Sequence, residues 1–204
     1  MEVIAKITDM GRIIVITGPM YSGKTTRLIQ EIEKFEIANK AYIVFKPSID
    51  FRYGFNNISN HKGLKVEAIP IEKSNEILKH LEQKRYNLIA IDEAQFFDED
   101  LPKIVQNLAD EGYTVILSCL DMDFKRQPFK VSSELLSIAD SVIKNRAVCE
   151  RCGSFDAAYS FKLKGDENQI DVGGKDKYIA VCRKCYRELS REYYPSGGIF
   201  KKNQ

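Results

Sequence analysis

Branched apolar side chains fall in short blocks along this chain, divided by stretches where apolar and charged residues recur every three or four positions. "RIIVIT" (12–17), "AYIVF" (41–45), "NLIAI" (87–91) and "TVILSCL" (114–120) are runs of strand length without polar alternation, as strands buried on both faces require. "KTTRLIQEIEKFEIANK" (24–40) places Leu28, Ile29, Ile32 and Phe35 on one side of a helix. "EKSNEILKHLEQKR" (72–85) predicts a second helix, and "DLPKIVQNLADEG" (100–112) a third closed by Gly112. "LKVEAIP" (64–70) reads as a short strand. Residues 12–45 then form a βαβ unit, and the alternation predicts a mostly parallel α/β sheet flanked by helices.

From about residue 146 the pattern changes to cysteine pairs, Gly173-Gly174 and tyrosines. The expected organisation is an α/β nucleotide-binding domain (1–145), a small lobe (146–192) and a flexible tail (193–204) broken by Pro195, Gly197 and Gly198. No internal repeat or low-complexity segment is apparent.

The first chemical signal lies between the first strand and the first helix. "GPMYSGKT" satisfies G-x-x-x-x-G-K-[ST] with Gly18, Pro19, Met20, Tyr21, Ser22, Gly23, Lys24 and Thr25. Backbone N–H groups of such a loop cradle nucleotide phosphates at a helix N-terminus; the lysine reaches the β- and γ-phosphates and the hydroxyl ligates Mg²⁺. The alternative is a glycine-rich turn matching by chance, which the strand–loop–helix context disfavours.

The strand at 87–91 ends on two adjacent carboxylates, Asp92 and Glu93. Ligands sit beyond the C-terminal strand ends of parallel sheets, and P-loop proteins keep there an Asp that helps hold Mg²⁺, a role Asp92 fits. Glu93 is then free to activate water, as in an ATPase, or to take a proton from an acceptor hydroxyl, as in a kinase. Two solvated acids starting a helix are the plain alternative.

Five cysteines occur: Cys119 alone, Cys149/Cys152 in "CERC" and Cys182/Cys185 in "CRKC". Two C-x-x-C pairs supply four thiolates for a closed tetrahedral Zn²⁺ site, structural because no coordination position stays open. The loop between the pairs, residues 153–181, is long for such a site, so the metal would staple its base. Free or redox-active thiols are the alternative.

Composition narrows the function classes. At 204 residues, 44% hydrophobic and a net charge of +2, the chain can bury one substantial core and has no global basic footprint for nucleic acid or a membrane surface. Without a signal-peptide-length apolar stretch or any run near the roughly 18 apolar residues of a membrane span, a soluble cytoplasmic protein is expected. Cys119 reads as a core residue, and His61 and His80 have no acid or nucleophile at motif spacing. Phe96, Phe97, Phe124 and Phe129 read first as core, although those beside polar motifs could wall a base pocket; Arg52 reads first as a solvated charge.

Taken in order, "GPMYSGKTTRLI", "DFRY", "IDEAQFF", "LDMDFKRQPF", "AVCERCG" and "VGGKDKYIAVCRKCY" resemble the zinc-containing, cellular and bacterial type of thymidine kinase, from about residue 11 to 190. The resemblance implies a P-loop NTPase-like core plus a zinc-stapled lobe with a lasso-like loop. It also implies transfer of the ATP γ-phosphate to the 5′-hydroxyl of thymidine, giving dTMP in nucleotide salvage, with Mg²⁺. By this resemblance Gly18–Thr25 hold the ATP phosphates, Asp50, Phe51 and Arg52 lie near them, and Asp92, Glu93, Ala94 and Gln95 form the Walker-B-like stretch with Glu93 as general base. Phe96, Leu120, Phe124 and Tyr178 contact the nucleoside. Gln169, Ile170, Asp171, Val172 and Gly173 grip the base through main-chain groups, and Cys149, Cys152, Cys182 and Cys185 ligate zinc. A homotetramer inhibited by dTTP is implied as well. Phe51 stands where a small polar residue is common in the family, and Met122 and Asp123 where Gly- and Thr-like residues are; these departures concern the shape of the base pocket.

Two rivals share parts of this pattern. A nucleic-acid motor with a zinc ribbon would need a second motor domain that 204 residues do not accommodate. A non-catalytic nucleotide-binding zinc module would leave Glu93 without work.

Overall fold

A computed structural model of the chain describes residues 11–50, 56–59, 63–82, 84–164 and 168–193. Phe51, Arg52, His61 and nearly all of the expected tail lie outside the described residues. In chain order the elements are β1 (Arg12–Thr17), α1 (Lys24–Ile37), β2 (Tyr42–Pro47), β3 (Asn57–Ser59), β4 (Lys65–Glu67), β5 (Ile69–Ile71), α2 (Glu76–Leu81) and β6 (Leu88–Ile91). They continue with α3 (Leu101–Asp110), β7 (Thr114–Cys119), α4 (Lys130–Ile138), β8 (Ser141–Lys144), β9 (Tyr159–Lys162), β10 (Tyr178–Val181) and α5 (Arg183–Tyr193).

Six strands form one sheet in the order β5-β2-β6-β7-β1-β8, and every neighbouring pair is parallel. Successive residues of a strand point to opposite faces, so the continuous apolar runs serve two cores at once. Val15, Phe45, Ile91 and Leu117 pack under α3 and α4; Ile16, Val44, Ala90 and Ile116 pack against Leu28, Ile29 and Ile32 of α1. A third cluster, built on Phe161, Val181 and Tyr186, belongs to the lobe, and Tyr21 of the phosphate loop and Met122 pack against it.

Local chemistry explains where elements stop. The predicted helix 24–40 ends at Ile37 because Asn39 takes a left-handed conformation (φ 52°) and Lys40 N–H closes back on the Phe35 carbonyl at 2.8 Å. Gly112 (φ 93°) ends α3 in the same way, with Tyr113 N–H on the Leu108 carbonyl at 3.0 Å. The helix predicted over 72–85 is only Glu76–Leu81: the Glu76 carboxylate accepts the N–H groups of Glu72 and Lys73, which holds residues 72–75 as the entry turn. "LKVEAIP" is two strands, since the chain changes partner at Ala68, from an antiparallel pairing of β4 with β3 to a parallel one of β5 with β2. Helix α4 and edge strand β8 carry no clear periodic signal and are additions to the sequence reading.

In the lobe, β9 and β10 pair antiparallel and α5 packs on them through Tyr186 and Leu189. Among the described residues no helix is long and apolar enough to cross a membrane.

Candidate active site

The C-terminal ends of β6, β7 and β1 lie side by side, so residues far apart in sequence meet at one edge of the sheet. Gly18 (φ 142°) opens the phosphate loop, where an added Cβ would sit 2.6 Å from the Asn145 carbonyl oxygen. The loop closes on Gly23 (φ 77°), from which α1 starts. Lys24 is buried and its ammonium donates to the Pro19 carbonyl at 2.8 Å. The Thr25 hydroxyl lies 3.3 and 3.2 Å from the two carboxylate oxygens of Asp92.

Asp92 is buried and also accepts a hydrogen bond from the Ser118 hydroxyl on β7. Burial, and then the neighbouring Glu93 charge, push its carboxyl up to about 6, with Asp50 adding in the same direction. A carboxylate held this way next to a threonine hydroxyl offers hard oxygen donors to a divalent cation, and Mg²⁺ is the ion such a pair suits. Their convergence is the fit that the P-loop motif demands.

Glu93 turns the chain through a left-handed conformation (φ 51°, ψ 43°) into a 3₁₀ turn, Ala94–Phe96. Such a conformation is costly for a residue with a Cβ and recurs at functional turns. The turn is clamped by Gln95, whose side-chain N–H₂ donates to Glu93 and whose carbonyl oxygen accepts the Leu120 N–H at 2.9 Å. One buried amide thereby fixes the orientation of Glu93 relative to the end of β7.

Glu93 opens onto a cavity whose floor is Met20, Tyr21, Gly23, Lys24 and Thr25. Phe96, Leu120 and Phe124 wall it, and Gln169, Asp171, Val172, Gly173 and Tyr178 cover it. Among the remaining candidates, Asp50, Asp92, Ala94 and Gln95 are buried and do not line the cavity, while Ile170 is 45% exposed. Gly18, Pro19 and Ser22 shape the loop without lining the cavity.

Phe129 and Met122, which the sequence already set near a base pocket, line the cavity, whereas Ser59 and Ser160 escape a motif search. Phe129 meets Phe96 edge-on at 6.5 Å between ring centres, Ser59 arrives from β3, and the Ser160 hydroxyl accepts the Met20 N–H at 3.0 Å. Asp123, a departure from the family pattern, accepts the N–H groups of Lys125 and Gln127 at 2.8 Å each, and its other oxygen accepts from the Gln169 amide at 3.2 Å. It therefore shapes the 123–127 turn and ties it to the cover. Phe97 lies in the core.

Away from the cavity, the Sγ atoms of Cys149, Cys152, Cys182 and Cys185 all lie within 4.8 Å of one another, with Cys152 and Cys182 at 3.9 Å. A tetrahedron with Zn–S bonds of about 2.3 Å has edges near 3.8 Å, so the four thiols fit Zn²⁺. Gly153 (φ 74°) provides the tight return that lets its N–H reach the Cys149 carbonyl at 2.8 Å.

A parallel sheet with a phosphate loop after β1 and a paired threonine–aspartate at its C-terminal edge defines a P-loop nucleotide-binding protein. The thymidine kinase family model matches residues 11–186. The thymidine kinase of Pseudothermotoga lettingae is 46% identical over 180 residues, 88% of this chain and 97% of that protein. That of Porphyromonas gingivalis is 42% identical over 180 residues, 88% and 87% of the two chains. This chain belongs to the thymidine kinase family. Among solved structures, the genome packaging NTPase B204 from Sulfolobus turreted icosahedral virus 2 matches at a TM-score of 0.45 and 16% identity over 71% of this chain and 78% of that one, too loose a likeness to weigh on function.

Proposed function

We propose that the protein is an ATP-dependent thymidine kinase, transferring the γ-phosphate of ATP to the 5′-hydroxyl of thymidine to give dTMP. The observation that carries this reading is one cavity lined both by Lys24, Thr25 and Glu93 and by the aromatic rings of Phe96, Phe124, Phe129 and Tyr178. An ATPase needs only the first set; a nucleoside kinase needs both.

In this reading Gly18–Thr25 bind the phosphates of ATP and Lys24 meets the charge that spreads over the transferred group. Thr25 and Asp92 would hold Mg²⁺, which would supply positive charge to offset that of the phosphates. Asp50 lies behind Asp92, and Phe51 and Arg52 are assigned to the same phosphate end by resemblance alone. Glu93, oriented by Gln95, takes the proton of the 5′-hydroxyl as it attacks in line. Phe96, Leu120 and Phe124 pack on the nucleoside, Tyr178 contacts it, and main-chain groups of Gln169–Gly173 read the base. Thymine presents an O4 acceptor where cytosine presents an N4 donor, so backbone donors set for thymine go unpaired with deoxycytidine.

The same cavity gives a reason for end-product inhibition by dTTP, whose base and triphosphate could meet both sets at once. Structural zinc on the four cysteines, a nucleoside-covering lobe over residues 146–192, a homotetramer and a cytoplasmic location complete the proposal. The test is ATP consumption with and without thymidine, then with and without single-stranded DNA. Thymidine-dependent turnover is expected; turnover dependent on DNA, or none with thymidine, contradicts it.

A further inference from the structure

We infer that Lys162 is a positioning residue that fixes the cavity-covering segment 168–173 through Asp171, and so governs nucleoside affinity rather than the phosphoryl step. This rests on the kinase reading above for what the cavity holds.

The argument begins with alternation on β9. Tyr159 and Phe161 face the lobe core, whereas Ser160 and Lys162 share the opposite face, and Ser160 lines the cavity. Lys162 is 2% exposed, an expensive position for an ammonium unless it is paired. Its Nζ lies 2.6 Å from one carboxylate oxygen of Asp171. The other Asp171 oxygen is 2.6 Å from Lys177 Nζ, and the Tyr178 hydroxyl donates to the Asp171 main-chain carbonyl at 2.8 Å. One residue of the covering segment is therefore held by an ion pair from β9, by the Lys177 ammonium just before β10, and by the Tyr178 hydroxyl at the start of β10. The same Lys162 ammonium stands 4.6 Å from the Phe124 ring centre and 5.6 Å from that of Tyr178, distances at which a cation is drawn to an aromatic face. Both rings line the cavity. A single buried charge thus joins Asp171 and Tyr178 of the cover to the Phe124 wall of the pocket.

A lysine that only satisfied local charge would affect stability alone, so the test needs a readout that stability does not move. Lys162→Met keeps the apolar stem and removes the charge. The expected result is a thymidine KM raised on the order of 10-fold or more, with kcat and the KM for ATP within about 3-fold of wild type. Amides of residues 169–173 should also exchange hydrogen faster in the ligand-free protein, while those of β9 and β10 do not. Lys162→Arg should recover most of the affinity, and Lys162→Met combined with Asp171→Asn should be no worse than the single change, because both remove one interaction. Unchanged thymidine KM and unchanged exchange at 169–173, or equal losses in kcat and in both KM values, overturn the inference. If Lys162→Met does not fold, Lys177→Gln, at a more exposed side chain, must give the same pattern in milder form, and wild-type behaviour there overturns it. If the wild-type protein does not phosphorylate thymidine, the kinase reading falls, and the exchange comparison still decides whether Lys162 holds the segment.

Discussion

The hydroxyl of Tyr186 donates to the main-chain carbonyl of Phe124 at 2.6 Å, across 62 positions of sequence. Tyr186 is fully buried and directly follows Cys185, so the thiolate cluster sits one residue away from a bond that fixes a wall of the cavity. The Arg126 guanidinium stacks on the Tyr186 ring at 4.7 Å, tightening the 123–127 turn against the lobe. Cysteine cluster, helix and pocket wall are joined through this one bond.

Zinc removal should therefore reach the nucleoside before the nucleotide. One zinc per chain is expected by metal analysis, and a chelator or Cys185→Ser should raise the thymidine KM on the order of 10-fold or more while ATP still binds. Because thiolates must be deprotonated to bind metal, acid should release zinc together with the order of the lobe. Zinc-free protein with an unaltered thymidine KM would contradict this account.

Asp92 predicts a stability that depends on pH. Its carboxyl is raised from 3.8 to about 6, so the folded state holds the proton more tightly than the unfolded one. The associated stability is complete below about pH 4 and is lost as pH rises through about 6. In Mg²⁺- and nucleotide-free protein at pH 8, Asp92→Asn should thus be more stable than wild type by on the order of 1–3 kcal/mol, the gap closing as pH falls below 6. Its turnover should be low and poorly responsive to Mg²⁺. Thermal unfolding of both proteins across pH 4 to 8 checks the sign.

Gly173 lies where the cover meets its own anchor: a Cβ added there would sit 2.5 Å from Cδ of Lys177. Gly173→Val should displace Lys177 from Asp171 and raise the thymidine KM on the order of 10-fold, leaving the KM for ATP near wild type. Steady-state kinetics with each substrate varied in turn separates the two.

The glycine-rich loop after β1 and the four-cysteine cluster were legible in the sequence because backbone geometry and ligand chemistry dictate their spacing. Gly18, Gly23 and Lys24 have to stand where they do for a loop to cradle phosphate, and two C-x-x-C pairs have few other uses. The four central strands of the sheet, β2, β6, β7 and β1, were legible for a similar reason, since burial on both faces leaves no polar alternation to mislead. Lys162 was not: nothing in "SFKLK" marks a buried charge until the fold sets Asp171 beside it. Ser118 was hidden inside an apolar run, and its bond to Asp92 depends on the order of β6 and β7 in the sheet. Helix ends escaped because single residues decide them, Asn39 by its left-handed turn and Glu76 by capping its own entry.

The central claim is that Glu93, held by Gln95 at the end of β6, accepts the proton of an attacking nucleoside hydroxyl. Glu93→Gln keeps the shape and removes the base. In protein shown to be folded and zinc-loaded, ATP and thymidine should bind with near wild-type affinity while kcat falls on the order of 10²-fold, the usual worth of general base catalysis. The loose transition state of phosphoryl transfer places that figure at the lower end of the range. The measurement is single-turnover formation of dTMP by Glu93→Gln across pH 6 to 8: a rate about 10²-fold below wild type is the predicted result, and a rate near wild type would contradict the assignment.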